Sequence, residues 1–472
     1  MDHSIAHSTR NQTHSVRNGL DRREGLPFLD LLSRSSVEAA CRFCGHQWRD
    51  RIYNPWITLS LFLSQMISDD HSCDEAVERL LKYRHDQGLP SVSPDTGSYC
   101  EARQRLPEGL IWKLARRTGR DVHDRSKKLW LFHGRSVKIV DGSTVVMPDT
   151  RENQKAYPQP STQAPGVGFP MARILVIFSL AVGTVLDAAV GPYRGKQTSE
   201  LALLRQVIGN FQPGDIVLAD RFYCSFWLIA ALQARGVDVV VRLHQARTTD
   251  FRRGRRLGHE DHVVIWPRRL EVPKWMGRAE YDTMPRELEI RELRIRVRDK
   301  TKRVREMVIA TTLLDCEIYS GDELRGLFRQ RWHAELDLRS LKTVMQMEML
   351  RTKTPEMVRK EIGMYFLAYN LIRGTMAEAA RQEQIGPRKL SFKGALHTVR
   401  AFEESHLDEA TRMAADLPRL TELIGQKRVG DRPDRYEPRA VKRRPKPHPL
   451  LRMSRREAQR LIRVGQIPYS KG

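Results

Sequence analysis

The sequence lacks a long hydrophobic run and is poor in cysteine. Its longest apolar stretch, Ile174–Val182, is far shorter than the about 20 residues that a helix needs to cross a bilayer. The polar N-terminus, MDHSIAHSTRNQTHSVRNG, also lacks the apolar centre of a secretory signal. We therefore expect a cytoplasmic protein without a transmembrane helix, in which the six cysteines stay reduced.

One cysteine pair has the spacing of zinc ligands. Cys41 and Cys44 form a C-x-x-C sequence, and His46 follows two residues later. Such a pair can supply two zinc ligands, but no second closely spaced pair follows it. We therefore favour ordinary buried thiols over a structural zinc site.

Basic residues strongly outnumber acidic ones. The chain has 81 Lys and Arg against 57 Asp and Glu, a net charge of +24. Residues 246–305 hold 18 basic and 10 acidic side chains, and residues 426–472 hold 15 and 4. Two basic segments that carry most of the net charge are typical of a protein that neutralises nucleic-acid phosphates. A highly soluble charged surface remains the alternative interpretation.

The hydrophobic pattern changes along the chain and predicts an α/β protein of several regions. Strands alternate with helices after about residue 136, which indicates a mixed sheet with crossover connections. The alternating sequence ELEIRELRIRV, residues 287–297, is typical of half-exposed antiparallel strands, and we interpret it as an insertion outside the main sheet. We predict a disordered N-terminus (1–26), a helical module (27–130), an α/β domain in two parts (131–245 and 306–382), a β-rich insertion between them (246–305), C-terminal helices (383–425) and a basic tail (426–472) with a short helix near Ser454–Arg463.

Two aspartates follow buried strands in the α/β region. Asp141 comes after Val137–Val140, and Asp220 comes after Ile216–Ala219. Side chains from different strands converge at strand ends in α/β sheets, so these carboxylates can share a site. A turn or capping role is the alternative for either one alone.

A later helix places charged residues on a partly apolar stripe. Helical positions advance by about 100°, so Phe328, Arg331, Glu335 and Lys342 fall on one side together with Leu338. Charged side chains on a packed face either pair with one another or serve a site. A chain of surface salt bridges is the alternative.

These motifs together resemble a known family of enzymes. Phe328, Arg331, Glu335 and Lys342 have the spacing of the Y-(2)-R-(3)-E-(6)-K signature of bacterial insertion-sequence DDE transposases, in the insertion-sequence-four family. The first-aspartate and second-aspartate regions of that family are similar to DGS at residues 141–143 and LADRFY at residues 218–223, and residues 93–107 are similar to its N-terminal helical region.

The resemblance implies a ribonuclease-H-like catalytic domain in which Asp141, Asp220 and Glu335 hold two Mg²⁺ ions, which Mn²⁺ can replace. It also implies that Arg331 and Lys342 hold phosphates of the transposon end. Phe328 stands at the signature tyrosine, where it keeps the ring and loses the hydroxyl.

By the same resemblance, the protein is a transposase that cuts double-stranded DNA at terminal inverted repeats, through a hairpin, and joins the ends to target DNA. It would act as a homodimer in a paired-end complex on nucleoid DNA. Trp266 or Trp275 could support an extruded base, although a core position is the simpler interpretation of both. The alternatives are an inactive DNA-binding descendant that regulates the ends, and a nuclease without joining activity.

Overall fold

The computed structural model describes residues 32–49, 51–86, 88–195, 198–273, 275–298, 304–405, 413–430 and 451–466. The predicted disordered N-terminus lies outside these residues, as does most of the basic tail. No helix in the described ranges is both long enough and apolar enough to span a membrane.

The chain begins with a group of helices. These are α1 (Arg34–Phe43), α2 (Pro55–Ile67), α3 (Cys73–Asp86), α4 (Gly97–Arg105) and α5 (Glu108–Asp124). The start of α2 follows from its sequence: the side chain of Asn54 accepts a hydrogen bond from the Ile57 N–H, 3.0 Å, and proline occupies the first turn. The buried residues of α1, α2 and α5 share one hydrophobic core with the sheet that follows.

Nine strands form one mixed, mostly antiparallel sheet in the order β3-β2-β1-β4-β5-β9-β8-β7-β6. They are β1 (Val137–Val146), β2 (Met171–Ser179), β3 (Val185–Pro192), β4 (Ile216–Ala219), β5 (Asp238–Arg242), β6 (Arg255–Gly258), β7 (Asp261–Pro267), β8 (Glu287–Arg298) and β9 (Val304–Thr311). Among the strand pairs of the described ranges, β1–β4 and β4–β5 are parallel and the other six are antiparallel. The mixed α/β class predicted from the sequence is confirmed.

The interpretation of residues 246–305 as an insertion outside the main sheet is wrong. Strands β6, β7 and β8 pair in succession, β8 pairs with β9, and β9 pairs with the central strand β5 through Arg242 and Ile309. These strands therefore extend the sheet. The alternating pattern identified half-buried strands correctly, but it contains no information on which sheet a strand joins.

Short helices connect the strands, and longer ones follow them. The connecting helices are α6 (Arg151–Ala156), α7 (Glu200–Val207), α8 (Phe226–Gln233) and α9 (Arg278–Thr283). After β9 come α10 (Gly321–Arg329), α11 (Trp332–Arg339), α12 (Pro355–Gln382), α13 (Phe392–Ser405), α14 (Met413–Gly425) and α15 (Arg455–Arg463). The last of these confirms the short helix predicted in the tail. Helix α12 is buried around most of its surface and runs through the main core.

Candidate functional site

Asp141 lies on β1, and Asp220 follows the end of the neighbouring parallel strand β4. Strand β1 pairs with β4 through Ile139 and Leu218, and continuing this register by two residues places Asp141 opposite Asp220. Both aspartates then face the side of the sheet on which Ile139 and Leu218 pack against the main core. Asp220 follows the end of β4 as predicted. Asp141 does not end its strand, because β1 continues to Val146.

Residues 328–342, which carry the signature and are called the signature segment below, do not form the single continuous helix that the periodicity predicted. Helix α10 ends at Arg329, α11 begins at Trp332, and residues 340–344 form a turn of π-helix. A steady advance of 100° per residue therefore does not apply from Phe328 to Lys342. The wider π turn rotates Lys342 relative to α11.

Arg331 and Glu335 form the charged centre of this segment. Nη2 of Arg331 donates to Oε1 of Glu335 at 2.8 Å, and the Glu335 side chain is 40% exposed. Lys342 is partly buried, with its Nζ 3.8 Å from Glu348. Phe328 is only 6% exposed and belongs to the main hydrophobic core, so its ring offers no surface to DNA in this structure.

The electrostatic environment of Asp141, on the sheet, includes charges of the signature segment. The pKa of the Asp141 carboxyl is raised to about 6, chiefly by burial and to a smaller extent by Glu200 and Glu335. The Gly142 N–H, which donates to Oδ1 at 2.9 Å, and the Arg331 guanidinium act in the opposite direction. The pKa of Asp141 therefore depends on Arg331 and Glu335, two side chains of the signature segment.

Glu200 is a fourth carboxylate at this site, and no motif pointed to it. It is the first residue of α7, and its Oε2 accepts a hydrogen bond of 2.9 Å from the Tyr223 hydroxyl. Burial raises the pKa of Tyr223, as do Glu200, Asp141 and Asp220, so all three carboxylates act on one phenol. In the sequence, Ser199 and Glu200 carry only the ordinary signal of a helix start.

The chemistry of these donors fits a hard divalent cation. Asp141, Asp220, Glu335 and Glu200 offer only oxygen atoms, the donors that Mg²⁺ and Ca²⁺ prefer. Within the described ranges, no three His, Cys, Asp or Glu side chains are arranged closely enough to form a metal site as they stand. The ion pair between Arg331 and Glu335 engages one of the candidate ligands.

The tryptophans that could support an extruded base differ in exposure. Trp266 is 4% exposed; its indole N–H donates to Glu292 at 2.9 Å and the Arg247 guanidinium lies 3.6 Å from its ring centroid. Trp275 is exposed, with the Arg205 guanidinium 4.0 Å from its ring centroid. Trp332, which the sequence reading did not consider, is 47% exposed beside Arg331.

The cysteine pair weighed as zinc ligands lies at the end of α1. Cys41 is fully buried, and burial raises the pKa of its thiol to about 11. Zinc binds the thiolate, so this environment favours the neutral, packed thiol.

Residues 132–371, just over half of the chain, match the family model of the transposase DDE domain. The chain belongs to this family. The transposase is 26% identical over 372 residues to "Transposase InsG for insertion sequence element IS4" of Escherichia coli K12, a match that covers 76% of this chain and 79% of that protein. It is also 26% identical over 142 residues to "Putative transposase InsZ" of the same organism, which covers 29% of this chain and 46% of that protein. The resemblance to the insertion-sequence-four family of DDE transposases is confirmed, and the matched segment contains Asp141, Asp220 and Glu335.

Proposed function

We propose that this transposase binds the terminal inverted repeats of its element, cleaves the ends by hydrolysis and transesterification through a hairpin, and joins them to target DNA. The observation that supports the proposal is the relation of Asp141 to the other two carboxylates. The β1–β4 register, continued by two residues, aligns Asp141 with Asp220, and the charge of Glu335 adds to burial in raising the pKa of Asp141.

Asp141, Asp220 and Glu335 would hold two divalent cations, with Mg²⁺ as the proposed ion. Bound there, the ions would supply Lewis-acid stabilisation and a more acidic water for displacement at phosphorus. A ribonuclease-H-like arrangement of the sheet is part of the same proposal.

The neighbouring side chains would bind and orient the DNA backbone. Arg331 is 20% exposed and already holds a carboxylate, so its planar guanidinium can hold a phosphate in the same way. Lys342 would add a point charge at a second phosphate. Trp332 is the tryptophan on the signature segment with an exposed ring, and it is the best placed to stack on a base.

The remaining parts of the chain would supply affinity and assembly. We propose that the helical module recognises the ends, that the basic strands β6–β8 and the tail add contacts to phosphates, and that two copies act in a paired-end complex. In the helical module, Arg103 is only 8% exposed, whereas Arg105 on the same helix is exposed in a surface ion pair with Glu101 and is the better candidate for a phosphate contact.

The test compares cleavage with binding on supercoiled DNA that carries the flanking inverted repeats. Asp141→Asn, Asp220→Asn and Glu335→Gln should each abolish Mg²⁺-dependent cleavage and leave gel-shift affinity nearly unchanged, because each removes one carboxylate charge and no basic surface. Asp121→Asn is the matched control, since Asp121 lies in an exposed ion pair with Arg117 on α5.

The outcomes separate the alternatives. Binding without cleavage by the unaltered protein would favour the inactive regulator, and cleavage without joining would favour a nuclease. A variant that cuts at a near-normal rate would remove that residue from the proposed set.

A further inference from the structure

Two cysteines meet in the helical module, far in sequence from each other. Cys73 is the first residue of α3, Cys100 lies in α4, and their Sγ atoms are 3.7 Å apart. Both are partly exposed, so small solutes can reach them. A disulfide bond needs about 2.0 Å between the sulfurs, so a modest side-chain movement would join them.

A buried arginine faces both sulfurs. Nη2 of Arg103 lies 3.1 Å from Sγ of Cys73 and 3.6 Å from Sγ of Cys100, and Nη1 donates to Gln65 at 3.0 Å. In the described ranges Arg103 forms no ion pair with a carboxylate, and its Nε is buried without a hydrogen-bond partner. Its charge instead faces the two sulfurs and the rings of Phe62 and Tyr99, whose centroids each lie 5.0 Å from the guanidinium carbon, and it acts at longer range on the buried carboxyl of Glu361.

The electrostatics keep the guanidinium charged. Burial lowers the pKa of Arg103, but Tyr99, Cys73 and Cys100 raise it, and the net shift is upward. Burial, the largest influence, leaves the pKa of the Cys73 thiol raised overall, and Cys100 adds to the rise, although Arg103 acts to lower it. Cys73 is therefore mostly a neutral thiol, and what favours a disulfide is the short distance to a second sulfur, which can trap the first oxidation product.

We propose that Cys73 and Cys100 form an oxidation-sensitive thiol pair whose oxidant is a peroxide. One sulfur attacks a peroxide oxygen, the O–O bond breaks, and a sulfenic acid and one water form from H₂O₂. The other sulfur then attacks the sulfenic sulfur, which forms the S–S bond and expels a second water. The two thiols lose two electrons and two protons, and H₂O₂ is reduced to two waters.

The disulfide would change the surroundings of Arg103. It would tie the start of α3 to α4 and remove both thiols as partners of the guanidinium. Helix α4 lies within residues 93–107, the segment proposed to recognise transposon ends. We infer that oxidation weakens end binding; this consequence rests on the proposed function, whereas the thiol chemistry does not.

The first experiment maps the oxidised thiols of the full-length protein. After brief treatment with H₂O₂, free thiols are alkylated and the peptides are identified by mass spectrometry with and without dithiothreitol. Because the sulfurs are held together, a sulfenic acid formed on either one should be resolved by the other, so we expect Cys73–Cys100 to be the main reducible cross-link, whereas oxidised Cys316, a partly exposed lone thiol, should give no cross-link within the chain. Cross-linking of Cys41 to Cys44 instead, or oxidation of Cys73 and Cys100 without a cross-link between them, would overturn the proposal.

Two variants extend the test. In Cys100→Ser, Cys73 should accumulate as a sulfenic acid that dimedone traps, because no second thiol can resolve it. In Cys73→Ser, the reducible peptide should be absent. Mapping of the unaltered protein needs neither variant, so poor folding of a variant leaves the main result decisive.

Gel shifts on terminal inverted repeats test the consequence. Oxidised protein should bind more weakly than reduced protein, and dithiothreitol should restore the affinity, whereas Cys73→Ser should not respond to peroxide. Equal binding of cross-linked and reduced protein would overturn the link to DNA. Failure of the reduced protein to bind the ends would instead count against the proposed function, independently of the mapped cross-link.

Discussion

The carboxyl group of Glu200 occupies the space that a side chain on Gly142 would need. A Cβ built on Gly142 would lie 2.5 Å and 2.7 Å from the two carboxylate oxygens of Glu200, inside the distance of any real contact. Gly142 follows Asp141 directly, so the absent side chain is what lets a fourth carboxylate approach the candidate site. The Tyr223 hydroxyl holds that carboxylate in place at 2.9 Å.

Replacing Gly142 with alanine should therefore change the position of the Glu200 carboxyl at the candidate site. We expect Gly142→Ala to displace the Glu200 carboxyl, which lies at the end of a flexible side chain, to lower end cleavage by about tenfold or more, and to lower the free energy of unfolding by only about 1 kcal/mol through loss of the Tyr223 hydrogen bond. Gly209→Ala is the control, because a Cβ at Gly209 would meet no atom within 4 Å. Cleavage assays and thermal melting decide the matter, and a fully active Gly142→Ala protein would show that the position of Glu200 is unimportant.

The raised pKa of Asp141 predicts a pH-dependent loss of stability. The folded state prefers the protonated carboxyl, with a pKa raised from 3.8 to about 6, so it binds more protons than the unfolded chain between those values. The free energy of unfolding should therefore fall as the pH rises from about 4 to about 6 and stay constant above that. A shift of about two units corresponds to roughly 2 to 3 kcal/mol.

Asp141→Asn should remove this penalty. In metal-free buffer at pH 7.5 we expect the variant to melt at a higher temperature than the unaltered protein, and the difference to shrink toward pH 4. Asp121→Asn serves as the control, since Asp121 is an exposed partner of Arg117. If the melting difference is the same at both pH values, Asp141 does not carry the unfavourable charge that burial implies.

Local patterns predicted local structure well in this chain. The strand before Asp220, the proline-started helix α2 and the short helix in the tail all follow from residue spacing and end signals. Tertiary relationships did not follow in the same way. Strands β6–β8 join the main sheet through β9, a pairing that no property of their own residues specifies.

The candidate site shows the same division. The spacing of Arg331 and Glu335 predicted a close pair, and the structure has one at 2.8 Å. The position of Phe328 relative to Lys342 was not predictable, because the helix is interrupted between α10 and α11 and the following π turn changes the rotation per residue about the helix axis. Glu200 was missed because its role depends on the space above Gly142, which exists only in the folded chain.

Phe328 stands where the family signature has tyrosine, a position that the resemblance assigns to DNA binding, and its ring lies in the main core. A hydroxyl added there would therefore meet apolar side chains. We expect Phe328→Tyr to lower the free energy of unfolding by about 1 to 3 kcal/mol, because it buries a hydroxyl in apolar surroundings, and to leave the single-turnover cleavage rate unchanged. Phe43→Tyr, at a ring that is 75% exposed, should change neither. If Phe328→Tyr instead cleaves faster at unchanged stability, position 328 contacts the DNA after all.

The last prediction concerns the anchor of the signature segment. Asp337, two residues after Glu335, is completely buried; it accepts hydrogen bonds of 2.7 Å at both oxygens from Nη1 of Arg388 and one of 2.5 Å from Nη2 of Arg373. Arg388 also donates to the backbone carbonyls of Leu180 and Ser179, at the end of β2, each at 2.8 Å. This network ties α11 to the sheet and so fixes where Glu335 lies.

Removing the carboxylate should leave two partly or fully buried guanidinium groups without their anion. We expect Asp337→Ala to lower the free energy of unfolding by about 3 to 5 kcal/mol, and the double variant Asp337→Ala/Arg388→Ala to lose less than the sum of the two single losses. The same cycle on the exposed pair Asp121 and Arg117 should give a coupling of at most about 1 kcal/mol. Urea unfolding measures all four corners of each cycle. Additive losses for Asp337 and Arg388 would show that the network does not hold the segment, and Glu335 would then have to be positioned by its ion pair with Arg331 alone.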